Sequence, residues 1–233
     1  MSVAGWAALV TCLISAVLAA SLARQYVGRR RPYQLWWGIS FFAAAVAALL
    51  QTVAFARGAW SVEGYRAYIV LAAAVPGLMG TGTVFLLYRR WAPYFAAVIV
   101  LSALLTAWGA AGSVRDLTSF GVLDAAAQVT RTMPYWQVQF GFGILGALGG
   151  AALVLGALWS WWRTREAFHW GIVIGGLVFS AADSFTALGG PSAAIMFFAA
   201  EVIGSTALYL AVRAAGTRRA DAAAPARAVP HRA

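Results

Sequence analysis

Residues 67–88 read AYIVLAAAVPGLMGTGTVFLLY, an apolar stretch without a single charged side chain. Arg66 precedes this stretch and Arg89 follows it. An α-helix rises about 1.5 Å per residue, so the stretch is long enough to cross the ~30 Å hydrocarbon core of a bilayer. Its proline and glycines are compatible with this, because such residues are tolerated in transmembrane helices. The stretch therefore predicts a transmembrane helix.

Six further stretches share this apolar character. Hydrophobic residues make up 62% of the 233-residue chain and charged residues 10%, whereas soluble domains carry about 25% charged residues. Only helices and closed barrels satisfy the backbone in lipid, and the stretches lack the alternation of a barrel. We therefore predict an all-α, polytopic bundle over residues 1–216. Its seven predicted spans are residues 3–23, 34–56, 67–88, 93–112, 137–161, 168–190 and 192–213.

The distribution of arginine predicts how the bundle is oriented. All 17 basic residues are arginines. Thirteen of them follow the first, third, fifth and seventh spans, and four lie on the other side. Because basic residues accumulate on the cytoplasmic side, the N-terminus is predicted outside and the C-terminus in the cytoplasm. Residues 217–233, rich in alanine, proline and arginine, are expected to form a disordered basic tail.

The composition argues against several classes of function. Cys12 is the only cysteine, and His169 and His231 are the only histidines. This supply is too small for a thiolate metal site or for bis-histidine haem ligation. The common hydrolase and nucleotide-binding motifs are also missing. We therefore expect no enzyme activity, no cofactor and no metal. The net charge of +10 lies in loops, which favours membrane lipid rather than nucleic acid as the partner.

Two pairs of predicted spans resemble each other. Residues 78–81 of the third span, Leu-Met-Gly-Thr, align with residues 202–205 of the seventh, Val-Ile-Gly-Ser. Trp-Gly-Ile occurs at 37–39 in the second span and again at 170–172 in the sixth. These matches favour a 3+1+3 plan, in which two parallel groups of three helices are joined by a fourth. Parallel repeats of this kind occur in transporter folds.

That plan is similar to the microbial rhodopsins and to the SWEET sugar transporters. Arg66, Tyr68 and Pro76 add a likeness to the third opsin helix. A retinal Schiff base requires a lysine, however, and the chain has none; Val70 stands where the resemblance implies a carboxylate. The missing lysine therefore excludes a retinal-dependent pump or sensor, which the resemblance would otherwise imply. The chain also resembles uncharacterised bacterial seven-helix membrane proteins, with a basic first loop that ends at residues 30–32, Arg-Arg-Pro. This likeness implies a bacterial inner (plasma) membrane and no assigned activity.

Two carboxylates fall inside the predicted spans, Asp183 in the sixth and Glu201 in the seventh. A charge at the centre of a bilayer costs on the order of 3 kcal/mol on insertion scales, so such residues are functional candidates. Counted from the short turn at 189–192, Asp183 lies ~10 Å and Glu201 ~13 Å below the predicted outer surface of the membrane. A carboxyl pair at one level can share a proton or bind a cation. The alternative is that each is a neutral carboxyl bonded to a neighbouring helix.

Further polar residues are expected to line the same pocket, which would open outward. Arg66 is predicted as the counter-ion at the mouth, and Pro76 and Gly80 as a hinge in the third span. We therefore expect a transporter of ions or small molecules, coupled to a proton or cation. The alternatives are a ligand-binding sensor, for a small apolar or cationic ligand, and an accessory subunit of a homo-oligomer or larger membrane complex. The predicted lining residues are Asp183, Glu201, Ser180, Ser184, Ser205 and Gln51.

Overall fold

All regular elements of the described chain are helices. The computed structural model describes residues 2–112 and 129–186, and also positions 114, 117, 120–122, 125, 196, 199–200, 202–211 and 214. The predicted tail, 217–233, lies outside the described residues. In chain order the helices are α1 (Val3–Arg29), α2 (Pro32–Arg57), α3 (Val62–Leu87), α4 (Ala92–Ala110), α5 (Val129–Thr132), α6 (Trp136–Thr164), α7 (Phe168–Thr186) and α8 (Val202–Ala211).

Five of these helices are long and apolar enough to cross a bilayer: α1, α2, α3, α4 and α6. They correspond to the first five predicted spans, so the all-helical architecture is confirmed for the described residues, and five helices suit a membrane-embedded protein. Helices α7 and α8 lie within the sixth and seventh predicted spans. The total of seven spans and the orientation of the bundle stay predictions.

Capping residues, rather than hydropathy, decide where the helices begin and end. The hydroxyl of Ser2 accepts a hydrogen bond from the Gly5 backbone N–H at 3.2 Å, which satisfies a donor in the first turn of α1. Arg30 ends that helix in the left-handed conformation, with φ 52°. Pro32 then occupies the first position of α2, where its missing N–H is not needed. Helix α1 thus extends to Arg29, six residues beyond the predicted end of the first span.

Helices α3 and α6 cross in the centre of the bundle at their glycines. A Cβ built on Gly80 would lie 2.5 Å from the carbonyl oxygen of Gly149, and a Cβ built on Gly149 would overlap the carbonyl of Pro76. One turn away, the side chain of Leu145 packs against the backbone of Gly77, where a Cβ would leave it no room. Glycines allow the two backbones to touch, which is the usual way in which helices pack closely in membranes.

Helices α7 and α8 pack against each other through a second pair of glycines. A Cβ on Gly171 would lie 3.0 Å from Cβ of Ala211, and a Cβ on Gly175 would lie 2.8 Å from Cγ of Leu208. Leu208 and Ala211 also belong to a core cluster with Leu18 of α1. The last described helix is therefore part of the bundle core.

The described residues between α4 and α6, at positions between 114 and 135, pack over one end of the bundle, and we call them the cap. Val122, Ala125 and Met133 of the cap are buried. Trp60 donates its indole N–H to the carbonyl of Val122 at 2.8 Å, and the Tyr65 hydroxyl donates to the carbonyl of Ala125 at 2.6 Å. We call this the cap end, and the opposite end, with the α1–α2, α3–α4 and α6–α7 loops, the arginine end.

The residues aligned by the 3+1+3 repeat have different neighbours. Trp37 donates its indole N–H to the carbonyl of Met79 in α3 at 3.0 Å. Its counterpart Trp170 instead packs against Trp161 of α6, with ring centroids 5.1 Å apart. Gly38 faces Leu22 of α1, whereas its counterpart at 171 faces α8. These contacts give the repeat no support, and it stays a prediction.

Candidate functional site

Helix α1 presents hydroxyl groups to the interior of the bundle. Its buried face contains Thr11 and Ser15, one turn apart. Hydroxyls in helices commonly bond to the carbonyl four residues earlier, as Thr52 does to Ala48 and Thr81 to Gly77, both at 2.8 Å. The Thr11 hydroxyl, by contrast, is buried without a hydrogen-bond partner in the part of the chain that the structure describes. It is therefore available to a group other than its own helix.

Helix α2 contributes a second buried polar group without a partner. Gln51 is 1% exposed, and its Nε2 has no hydrogen-bond acceptor among the described residues. A buried donor without an acceptor costs about 1–3 kcal/mol. Native structures keep few such groups, and each one calls for an explanation. A bound ligand with an acceptor atom, an anion or an acidic side chain would supply the acceptor that this amide lacks.

These two groups lie near the segments that carry the predicted carboxylates. Ala8 of α1 and Ala200 form a buried cluster, against which Phe55 of α2 and Val178 of α7 pack. Thr11 follows Ala8 by one helical turn, and Gln51 precedes Phe55 by one turn. Because residues three or four apart share a helix face, both polar groups lie just deeper than this cluster.

Further from the cap end, Ser15 and Ser205 line one small cavity. Its volume is about 10 Å³, at the lower limit of what one water molecule requires. Ser205 of α8 is buried. We call the interior side chains Thr11, Ser15, Gln51 and Ser205 the polar seam. It runs between α1, α2 and α8 through the half of the bundle nearer the cap end.

Of the predicted pocket residues, Gln51 and Ser205 are thus found in the interior. Asp183, Ser180 and Ser184 lie in α7, but their side chains are outside the described part of the chain. Glu201 also lies outside the described residues. The carboxyl pair itself therefore stays a prediction. Among the described residues no group of three or more His, Cys, Asp or Glu side chains could hold a metal ion.

Arg66 lies at the cap end and not in the polar seam. Its Nη2 donates to the carbonyl of Gly112 at 2.7 Å, just beyond the end of α4. Its Nη1 is 4.0 Å from a carboxylate oxygen of Glu63, whose side chain is largely exposed. A cation at a helix C-terminus is stabilised by the helix dipole. In this position Arg66 braces α4 against α3; its role as a counter-ion for a ligand stays a prediction.

Pro76 and Gly80 lie at the crossing of α3 with α6. Side chains of α2 bond to the α3 backbone on either side of this point, because Ser40 donates to the carbonyl of Val75 at 2.8 Å and Trp37 to that of Met79. The two residues therefore serve close packing, and the hinge stays a prediction.

Sequence reasoning missed Thr11 and Ser15. Their signal was the spacing of small and polar residues on α1, where Gly5, Ala8, Thr11 and Ser15 recur every three or four residues.

A comparison with family models, curated proteins and solved structures found no match to this chain.

Proposed function

We propose that the protein is a seven-span inner-membrane transporter that moves a proton or a small cation, alone or coupled to a small molecule. The thirteen-to-four arginine split supports an outer N-terminus and a cytoplasmic C-terminus. The positions of α7 and α8 within the sixth and seventh predicted spans support the span count.

The unpaired donor of Gln51 is the observation that carries this proposal. A buried amide N–H needs a hydrogen-bond acceptor. An ionised carboxylate can supply one, because both of its oxygens accept hydrogen bonds and neither donates. Glu201 follows Ala200, which packs in the cluster one turn above Gln51. Asp183 lies on α7, which contributes Val178 to the same cluster. A carboxyl pair beside the polar seam would share a proton or bind a cation.

Flux in proteoliposomes tests the role of the carboxylates. We expect Asp183→Asn and Glu201→Gln each to abolish pH-dependent flux of protons or cations, because neither amide can take up a proton or balance a cation. Glu63→Gln is the matched control, since it makes the same change at an exposed carboxylate and should leave flux unchanged. Wild-type flux in both interior variants, with monodisperse protein, would exclude the proposed mechanism.

A second substitution separates function from stability at Gln51. Gln51→Leu removes a buried donor that has no partner, so stability should be unchanged or should rise by up to about 1–3 kcal/mol. Flux should fall at least severalfold if the amide N–H donates to a carboxylate that holds the transported proton or cation. Gln137→Leu is the matched control, because Gln137 also has a buried unpaired side-chain atom, Oε1, and lies on α6 away from the seam. Equal flux in the two variants would remove Gln51 from the site.

An accessory or sensor role is favoured by one observation, the close packing toward the arginine end. There the Gly80–Gly149 crossing brings two backbones into contact, and the cavity that Ser15 and Ser205 line has a volume of only about 10 Å³. Purification in mild detergent distinguishes the alternatives. A stoichiometric partner, together with undetectable flux, would support an accessory subunit, whereas flux by the isolated protein would support transport.

A further inference from the structure

A long groove runs between α1 and α2 on the outer surface of the bundle. Its volume is about 660 Å³, and it extends from Cys12 to Val27 on α1 and from Gln34 to Leu49 on α2. At ~1.5 Å per residue its length is about 22 Å, more than one leaflet of a ~30 Å hydrocarbon core. Small alanine side chains of α1 form one wall, and nearly the whole surface is apolar. The groove has the shape and polarity of an acyl-chain site.

Gln34 is a buried polar group at the arginine end of this groove. It is 0% exposed and lines the groove. Its Nε2 donates to Oε1 of Gln25 at 3.3 Å, but none of the described residues donates a hydrogen bond to its own buried Oε1. An amide oxygen in this position can accept an O–H or N–H from a bound molecule. This buried polar atom distinguishes the groove from an ordinary apolar gap between two helices.

Positive charge surrounds the same end. The guanidinium carbon of Arg30 lies 5.9 Å from the ring centroid of Tyr26, a residue that lines the groove. This contact holds the Arg30 side chain beside the groove mouth. Arg29 and Arg31 flank it in the same loop and are exposed. Arginine clusters next to a membrane span bind anionic headgroups, and guanidinium pairs well with phosphate.

We propose that the α1–α2 groove binds one anionic phospholipid with a hydroxylated headgroup. One acyl chain lies along the alanine wall, and the phosphate pairs with Arg30 and its neighbours. A headgroup hydroxyl donates to Oε1 of Gln34. A zwitterionic lipid would fit the apolar groove but would cancel much of the attraction to the arginines.

A second groove at the same end provides a matched control. It lies between α3 and α6, has a volume of about 750 Å³, and is lined by Tyr88, Trp159 and Trp162. Exposed Arg89 and Arg90 follow α3 at its mouth. The Thr83 hydroxyl in this groove is already bonded to the carbonyl of Met79 at 3.2 Å. This groove thus has similar size and charge, but none of its lining residues has a buried polar atom without a partner among the described residues.

Native mass spectrometry of the full chain with added lipids tests the charge requirement. We expect phosphatidylglycerol to bind about tenfold more tightly than phosphatidylcholine with the same acyl chains. Arg30→Gln with Arg31→Gln should remove most of this preference, whereas Arg89→Gln with Arg90→Gln should keep it. Equal binding of the two lipids to the wild type, or an equal loss in the two double variants, would overturn the proposal.

A second comparison tests Gln34. Phosphatidylmethanol carries the same phosphate charge as phosphatidylglycerol but no headgroup hydroxyl. We expect the wild type to bind phosphatidylglycerol several-fold more tightly than phosphatidylmethanol, and Gln34→Leu to bind them equally. Gln34→Leu should fold normally, because it removes an unpaired buried oxygen, and the partly exposed Gln25 that loses its donor can bond to water instead; its thermal stability checks this. Equal binding of the two lipids by the wild type would overturn the role of Gln34.

Discussion

Gly149→Ala is expected to destabilise the bundle by at least about 3 kcal/mol, although it adds one methyl group. The new Cβ would overlap the carbonyl of Pro76 and the amide of Gly77. Overpacking usually costs about 1–3 kcal/mol when side chains can move aside. Here the neighbours are backbone atoms of α3, so the two helices must separate. Contacts along the whole α3–α6 crossing would weaken together.

Unfolding in mixed micelles measures this effect. Gly146→Ala is the matched control, because it lies on the same helix one turn earlier and a Cβ there would meet nothing within 4 Å. That variant should be neutral or slightly stabilised, since alanine is the better helix former. If Gly149→Ala and Gly146→Ala unfold alike, the described crossing between α3 and α6 is wrong.

Tyr65→Ala is expected to cost about 3–5 kcal/mol and to release the cap. Tyr65 is the largest of the completely buried side chains, at 0% exposure. Its hydroxyl bonds to the carbonyl of Ala125 and to Thr132, and its ring packs edge-on against Trp60 at 5.5 Å between centroids. Truncation therefore removes both a hydrophobic contact and the polar anchor of the cap. Tyr65→Phe should cost less, about 1–3 kcal/mol, because only the hydrogen bonds are lost.

Equilibrium unfolding and limited proteolysis measure the two consequences separately. Cleavage by trypsin after Arg131, which lies in the cap, should become faster in Tyr65→Ala. Tyr94→Ala is the control, because Tyr94 is 69% exposed on α4 and its loss should change stability by less than about 0.5 kcal/mol. Unchanged cleavage in Tyr65→Ala would mean that the cap is held by other contacts.

Much of the polar seam was accessible to sequence reasoning, for a physical reason. Gln51 and Ser205 are polar residues inside apolar stretches, and lipid disfavours them, so an interior position follows. Thr11 and Ser15 were missed because a hydroxyl in a span can bond its own helix and needs no interior partner. Arg66 was assigned to the mouth of a pocket from its position before the third span. Its bond to Gly112, 46 residues away, involves a helix end that no local pattern identifies.

The helical, membrane-embedded character of the chain follows from residue composition and stretch length, because a helix satisfies its backbone within one segment. Local patterns therefore predicted the first five spans closely. Which faces meet depends on residues distant in sequence: Trp37 and Met79 are 42 positions apart, and Trp60 and Val122 are 62 apart. The glycine crossing, the anchored cap and the orphaned Thr11 and Gln51 became visible only when the helices were packed together. Lipid is as apolar as the bundle core, so hydropathy shows that a helix is buried in the membrane but not which of its sides faces another helix.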